Sequence, residues 1–278
     1  ARKGIFHPQF FTMPQLLFIF LAVMLTDVFL LDLFNTLGLP TSTTVSIVFE
    51  LLGAAVAISM VTILNKGHDL STLAEYINTS KAMMIIMGIL LSVVVAFAFG
   101  AVAQFMSRLI FTFNYEKTLK RYGSLWGGLG LSLIVFFILI KGANGASFIT
   151  PDTYAAIKAN AFTLLLSVFA LSAVLLQVMI SIFRFNILKL IVLVGTFALA
   201  MAFAANDLVN FIGVPLAGYH AYKAAIVTAD PLNVTMGALS KKVPLETNLL
   251  LIAGGIMVVT LWFSRKARTV TETEIGLG

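Results

Sequence analysis

Three polar side chains that can act as ligands lie inside the apolar stretch "MAFAANDLVNFIGVPLAG", residues 201–218. On a helix, Asn206, Asp207 and Asn210 are spaced by three or four residues and therefore share one face. A charged group at the centre of a bilayer costs at least about 2.5–3.5 kcal/mol, and such groups commonly have a function. With the carbonyl groups freed by Pro215, these oxygens favour a small-cation site. The alternative is that the amides form hydrogen bonds between helices and that Asp207 pairs with a lysine.

A second polar cluster, "GLPTSTTVS" at residues 38–46, carries five hydroxyl groups within six positions. A helix that begins here leaves its first backbone N–H groups without intrahelical acceptors, and N–H groups beside hydroxyl donors favour an anion. The alternative is an ordinary helix N-cap, for which one hydroxyl suffices. Glu50 follows about two turns later and is a candidate cation-coupling residue. Asp27 and Asp32, in or near the preceding apolar block, could also carry a proton or contact a cation.

The chain that must position these residues is strongly apolar. Its 278 residues are 60% hydrophobic and 11% charged, with a mean hydropathy of +1.02, whereas soluble domains are about one-quarter charged. The apolar blocks have the length that crosses a bilayer as a helix. We predict an all-α integral membrane protein, a polytopic helical bundle. Seven blocks are predicted, at residues 10–34, 43–64, 82–107, 123–141, 160–182, 187–228 and 247–263.

The sixth block, residues 187–228, is too long for one span and contains the first polar cluster. It is either two half-helices joined by a break near Gly213 and Pro215, or a span with an interfacial extension. Two half-helices would place a broken or re-entrant helix within the bundle. The N-terminus of the second half-helix would attract an anion. Because no Pro-rich or Gly/Ser-rich linker divides the chain, residues 1–278 are predicted to form a single membrane domain.

Charge and composition exclude several other classes of function. The net charge is +6, but the basic residues are scattered among short loops, so they indicate membrane topology and no nucleic-acid partner. The absence of cysteine excludes disulfides and thiolate metal sites. The histidines His7, His68 and His220 lack metal-ligand spacing. We therefore predict no cofactor, and no metal beyond a Na⁺ ion held by Asn206, Asp207 and Asn210.

Both polar clusters resemble motifs of one family, the inorganic phosphate transporter (PiT) family. "AANDLVNFIGVPLAG" resembles its Gly-Ala-Asn-Asp-x-x-Asn signature, and "GLPTSTTVS" resembles its Gly-x-Pro-x-Ser-Thr-Thr-His-Ser segment. The tail "LWFSRKARTVTETE" also looks like the family's stretch after a late membrane helix. The chain departs from the pattern at two positions, where Ala204 replaces a glycine and Val45 replaces a histidine.

The resemblance implies a secondary transporter with inverted repeats, in which each repeat contributes one motif of each kind to a central phosphate site. Ser42, Thr43 and Thr44 would then bind phosphate through hydrogen bonds. Asn206, Asp207 and Asn210 would contribute to the phosphate and cation sites.

One motif of each kind occurs in this sequence. The expectation is therefore a fragment of a longer transporter, spanning the end of the first repeat (about 1–141) and the start of the second (about 160–278).

The function predicted is symport of inorganic phosphate with Na⁺ or H⁺ across a plasma or inner membrane, by a multi-pass protein that is not an enzyme. No hydroxyl has an apparent histidine partner and no His-Glu-x-x-His motif occurs, which argues against a hydrolase. The alternatives are a transporter of another oxyanion such as sulfate, and a noncatalytic membrane scaffold. The predicted partners are phosphate, Na⁺ or H⁺ and the lipid bilayer, and association into homo-oligomers is left open.

Overall fold

The structure is a computed structural model that describes residues 4–111, 115–142, 150–183, 187–240 and 246–277. The described residues are predominantly helical, and the only β contacts among them are two isolated bridges. The α-helices are α1 (Met13–Leu37), α2 (Thr43–Asn65), α3 (Leu73–Tyr76), α4 (Thr79–Phe111), α5 (Tyr115–Phe137), α6 (Pro151–Ala159), α7 (Ala161–Phe183), α8 (Ile187–Ile226), α9 (Thr247–Phe263) and α10 (Arg265–Leu277).

The membrane-spanning character predicted from composition is confirmed. Within the described ranges, α1, α2, α4, α5 and α7 are long and apolar enough to cross a bilayer. The consecutive helices α9 and α10 meet at an angle of 73° and together make a sixth candidate, either a broken span or a re-entrant loop. The chain is therefore an all-α polytopic membrane protein. The repeat boundary expected between about residues 141 and 160 stays a prediction.

The chain divides into two compact units, one formed by residues 1–93 and 207–278 and the other by residues 94–206. In the first unit, α1 and α2 pack as an antiparallel hairpin because only five residues connect them. The turn uses Gly38 in the left-handed conformation, with φ 68°, which glycine adopts without a Cβ clash. The hairpin core repeats at helical spacing, with Leu16, Phe20 and Val23 buried on α1.

A polar contact at the open end of the hairpin sets the register of α1 against α2. Gln15 at the start of α1 accepts a hydrogen bond from the backbone N–H of Thr12, the N-cap residue. Its Nε2 donates to the Thr62 Oγ1 near the end of α2, at 2.9 Å. Both ends of Gln15 are thus satisfied, so this side chain fixes α1 and α2 at a defined relative height.

The helix that carries the Asn-Asp cluster is continuous. Helix α8 runs through Pro215 without a break, so the prediction of two half-helices joined near Gly213 and Pro215 is wrong. Proline removes one N–H donor from the helix, and neighbouring groups in a packed membrane bundle can compensate that loss. The C-terminal part of α8 packs in the first unit, where Gly218 lies against Leu17 and Phe20 of α1.

The break in this unit lies at Ser264 instead, between α9 and α10. After the bend, α10 packs against the C-terminal end of α1. The Lys266 Nζ forms an ion pair with Asp32, and the Thr269 Oγ1 donates to the carbonyl of Asn35 at 3.0 Å. The basic "SRKAR" stretch therefore begins a polar helix.

In the second unit, α5 and α7 form the main contact. Small residues line the buried face of α5, and a Cβ added at Gly128 would lie 3.0 Å from the backbone nitrogen of Ala173 on α7. Such small residues let two helix backbones approach closely in a membrane. Helix α5 begins at Tyr115, earlier than the predicted apolar block at residues 123–141. The polar residues before that block form the first, amphipathic turns of the same helix.

Candidate functional site

The two polar clusters meet at the N-terminal end of α2. The Thr43 Oγ1 donates to the Asp207 Oδ1 at 2.6 Å. The Asn210 Nδ2 donates to the Thr43 Oγ1 at 3.1 Å and to the Thr44 Oγ1 at 3.0 Å. The first turn of α2 is thereby joined to α8 through four side chains, Thr43, Thr44, Asp207 and Asn210, which we call the Thr–Asp–Asn cluster. The spacing of Asp207 and Asn210, three residues apart on one helix, allows both to reach the same turn.

The cluster is polar but largely removed from bulk solvent. The side chain of Asn210 is 1% exposed, and Asp207, Thr43 and Thr44 are partly buried. Both amide hydrogens of Asn210 have threonine acceptors, which meets the requirement that buried polar groups be paired. Asn210 thus forms the interhelical hydrogen bonds that the alternative interpretation of this motif predicted.

The charge in the cluster comes from Asp207. The ion pairs found within the described ranges are Lys223–Glu246 and Lys266–Asp32, and neither includes Asp207. The alternative in which Asp207 pairs with a lysine therefore has no support in the part of the chain that is described. Its Oδ1 is stabilised by the hydroxyl of Thr43 and lies beside the positive end of the α2 macrodipole. This arrangement suits a carboxylate that can accept a cation.

Ser42 has a different position from the two threonines. It is the N-cap of α2, where its Oγ accepts the backbone N–H of Val45 at 3.4 Å, and it is exposed. The N-cap interpretation therefore accounts for Ser42, whereas Thr43 and Thr44 lie inside the helix and contact α8. The assignment of phosphate binding to Ser42, Thr43 and Thr44 stays a prediction.

Asn206 belongs to α8, but its side chain lies outside the described part of the structure. Its predicted contributions to the phosphate and cation sites stay predictions, as does a Na⁺ ion held by Asn206, Asp207 and Asn210. Among the described residues, no group of three or more His, Cys, Asp or Glu side chains could hold a metal ion. A cation here would depend on one carboxylate with amide and hydroxyl oxygens.

Glu50 lies on α2, seven residues beyond Thr43, and outside the hydrogen bonds of the Thr–Asp–Asn cluster. Its two carboxylate oxygens are buried and have no hydrogen-bond partner, and the same holds for the Oδ1 of Asp27 on α1. Asp27 and Glu50 interact electrostatically. For Asp27, the sequence showed only that an acidic residue lies inside the first apolar block. It did not indicate that this residue would lie beside Glu50.

A comparison with protein families covers both polar clusters. The family model described as "Phosphate transporter family" matches residues 1–272, a range that includes both polar clusters. No curated protein and no solved structure matches the chain. Because the family match covers nearly the whole chain, this multi-pass membrane protein belongs to the phosphate transporter family.

Proposed function

We propose that this protein carries inorganic phosphate across a plasma or inner membrane by symport with Na⁺ or H⁺, and that it is not an enzyme. Membership of the phosphate transporter family supports the substrate. The observation that supports coupling is the 2.6 Å hydrogen bond from Thr43 to Asp207, because it ties a predicted phosphate donor to a carboxylate.

The Thr43–Asp207 bond makes phosphate binding depend on a cation. A hydroxyl group has one proton to donate, and Thr43 donates it to Asp207. Phosphate is an anion, so an ionised Asp207 both repels it and competes for the Thr43 proton. A Na⁺ ion or a proton on Asp207 removes the repulsion and weakens the competition. Thr43 can then turn its hydroxyl toward phosphate, so the cation and the anion bind together.

The remaining members of the site extend the same scheme. Thr44 and the capping residue Ser42 add hydroxyl groups at the positive end of α2, where an anion is favoured. Asn206 and Asn210 add amide oxygens that can serve a cation beside Asp207. Glu50 supplies a second acidic group two turns away on the same helix.

The same carboxylate gives a physical basis for selecting phosphate over sulfate. Phosphate at neutral pH still carries a proton that it can donate to an acceptor such as Asp207, whereas sulfate carries none. A carboxylate whose charge is balanced by Na⁺ can still accept that hydrogen bond, so the site favours phosphate because sulfate would leave the acceptor unpaired.

Uptake of radiolabelled phosphate into proteoliposomes tests the proposal, with a Na⁺ gradient and a proton gradient imposed separately. We expect uptake under one gradient, little inhibition by excess sulfate, and loss of uptake in the double variant Thr43→Ala/Thr44→Ala.

Thr36→Ala is the matched control, because Thr36 is exposed and its hydroxyl donates to the carbonyl of Asp32 on its own helix. Uptake of sulfate in preference to phosphate would indicate the other oxyanion. Uptake of neither anion under either gradient would indicate a scaffold.

A further inference from the structure

Asp27 and Glu50 lie at the same height in the α1–α2 hairpin. The Gln15–Thr62 hydrogen bond fixes the register. Asp27 follows Gln15 by twelve residues and Glu50 precedes Thr62 by twelve residues. At 1.5 Å per residue, both carboxyl groups are about 18 Å from that contact along antiparallel helices. They are therefore at the same depth, well inside the two spans.

Both side chains are at least partly buried. Asp27 continues the buried series Leu16, Phe20 and Val23 at spacings of three and four residues, and it is only 7% exposed. Glu50 is partly buried on α2, and both of its carboxyl oxygens are inaccessible to solvent. The two carboxyl groups lie close enough to interact electrostatically.

This pair has acceptors but no donors. The Oδ1 of Asp27 and both oxygens of Glu50 are buried without a hydrogen-bond partner within the described structure. The elements packed against α1 and α2 do carry titratable groups, but none bonds to these three oxygens. Those groups include Glu75 and Tyr76 on α3; Lys189, Asp207, Tyr219, His220, Tyr222 and Lys223 on α8; and Arg265, Lys266, Arg268 and Glu272 on α10. Two unpaired carboxylates in an apolar hairpin require a positive charge between them.

A proton meets that requirement better than a metal ion. One proton turns one carboxyl group into a donor and the other remains the acceptor, so a single ion satisfies both side chains. A Na⁺ ion would need several further oxygens, but α1 and α2 are continuous here and their carbonyl groups serve the helices. Among the described residues no third acidic or histidine ligand joins the pair.

We propose that Asp27 and Glu50 form a carboxyl pair that binds one proton between α1 and α2 and couples its movement to phosphate transport. This inference rests on the proposed symport, names a proton as its coupling ion, and adds a second place for that proton besides Asp207. Glu50 shares a face of α2 with Thr43, about 10 Å away along the helix axis. Removal of one negative charge at that distance strengthens anion binding at the Thr–Asp–Asn cluster by on the order of tenfold.

The test uses the complete polypeptide in proteoliposomes, as wild type, Asp27→Asn and Glu50→Gln. Asp32→Asn is the matched control, because Asp32 is an exposed acid on the same helix, α1. A pH-sensitive dye inside the vesicles measures proton entry driven by inward phosphate flux. Exchange of labelled for unlabelled phosphate measures substrate movement without net coupling.

We expect Asp27→Asn and Glu50→Gln to lose phosphate-driven proton entry and to retain phosphate exchange, while Asp32→Asn behaves as wild type. Wild-type proton entry in both variants would overturn the inference and leave phosphate transport intact. Wild-type uptake that moves sodium and no protons would also overturn it.

An infrared titration of the purified protein examines the pair independently of transport. We expect the carbonyl stretch of a protonated carboxylic acid, shielded from solvent exchange, in the wild type and its loss in Glu50→Gln. If the wild type transports no phosphate, the proposed function fails, and this measurement still decides the pair. A spectrum without such a band, or one unchanged in Glu50→Gln, would overturn the inference.

Discussion

Replacement of Asp207 by asparagine separates the charge of this residue from its hydrogen bond. Asparagine keeps the shape and an acceptor oxygen for the Thr43 hydroxyl, so the contact observed at 2.6 Å can persist in neutral form. A hydrogen bond to a charged group contributes about 1.5–3 kcal/mol and a neutral one about 0.5–1.5 kcal/mol. We therefore expect the variant to lose only about 1 kcal/mol of stability and to insert normally.

The effect of Asp207→Asn on cation affinity is larger. A unit charge about 4 Å from a carboxylate gains about 4 kcal/mol at an effective dielectric constant of about 20. Loss of that attraction corresponds to an affinity about 1,000-fold weaker, since about 1.4 kcal/mol is a factor of ten. We expect phosphate binding by Asp207→Asn to lose its dependence on the cation, and phosphate uptake driven by a cation gradient to fall to background.

The assay is the initial rate of phosphate uptake by proteoliposomes at increasing Na⁺ concentration and at decreasing pH, with Asp32→Asn as the control. Asp32 is exposed and pairs with Lys266, so its neutralisation leaves uptake unchanged. Melting temperatures of the purified variants verify that Asp207→Asn is folded. Uptake by folded Asp207→Asn with wild-type dependence on Na⁺ and pH would refute the reasoning.

Three further predictions concern stability and are measured by thermal unfolding in detergent. Gly38→Ala costs about 1–2 kcal/mol, because Gly38 has a φ of 68° that alanine adopts poorly; an unchanged melting temperature would contradict this. Gly128→Ala costs about 1–3 kcal/mol by overpacking against Ala173 on α7, whereas Gly130→Ala, with its nearest neighbour at 3.9 Å, costs less; equal losses would argue against a tight α5–α7 contact. Lys266→Ala costs under about 1 kcal/mol because its ion pair is exposed; a larger loss would indicate that α10 depends on it.

Most of the helical framework is predictable from apolar blocks alone. The predicted block 43–64 agrees with α2, Thr43–Asn65, and the predicted block 247–263 agrees with α9, Thr247–Phe263. Hydrophobic length is a direct signal because a bilayer has a fixed thickness. The short helix α6, Pro151–Ala159, was missed because a polar helix outside the apolar blocks has no such signal.

The continuity of α8 and the bend at Ser264 were not predictable from residue types. Pro215 indicated a break, yet α8 continues through it, because tertiary packing decides whether the loss of one hydrogen bond ends a helix. Ser264, which carries the 73° bend between α9 and α10, has no breaker residue beside it.

The sequence indicated the residues of the Thr–Asp–Asn cluster but not their contacts. Thr43 and Asn210 are 167 positions apart, and helix periodicity informs only about neighbours within a few turns. The same reason explains why Asp27 and Glu50 could be named as acids but not as a pair. Single-helix patterns show which face a residue occupies, whereas the partner on that face depends on how the helices pack.

Equilibrium binding of labelled phosphate to the purified protein tests the central claim, that the Thr–Asp–Asn cluster binds phosphate only together with a cation. Binding is measured with Na⁺, at low pH without Na⁺, and with neither, for the wild type and for Thr43→Ala/Thr44→Ala. The account predicts wild-type binding under at least one of the first two conditions, none under the third, and no binding by the double variant. Equal phosphate affinity with and without a cation, or full affinity in the double variant, would contradict it.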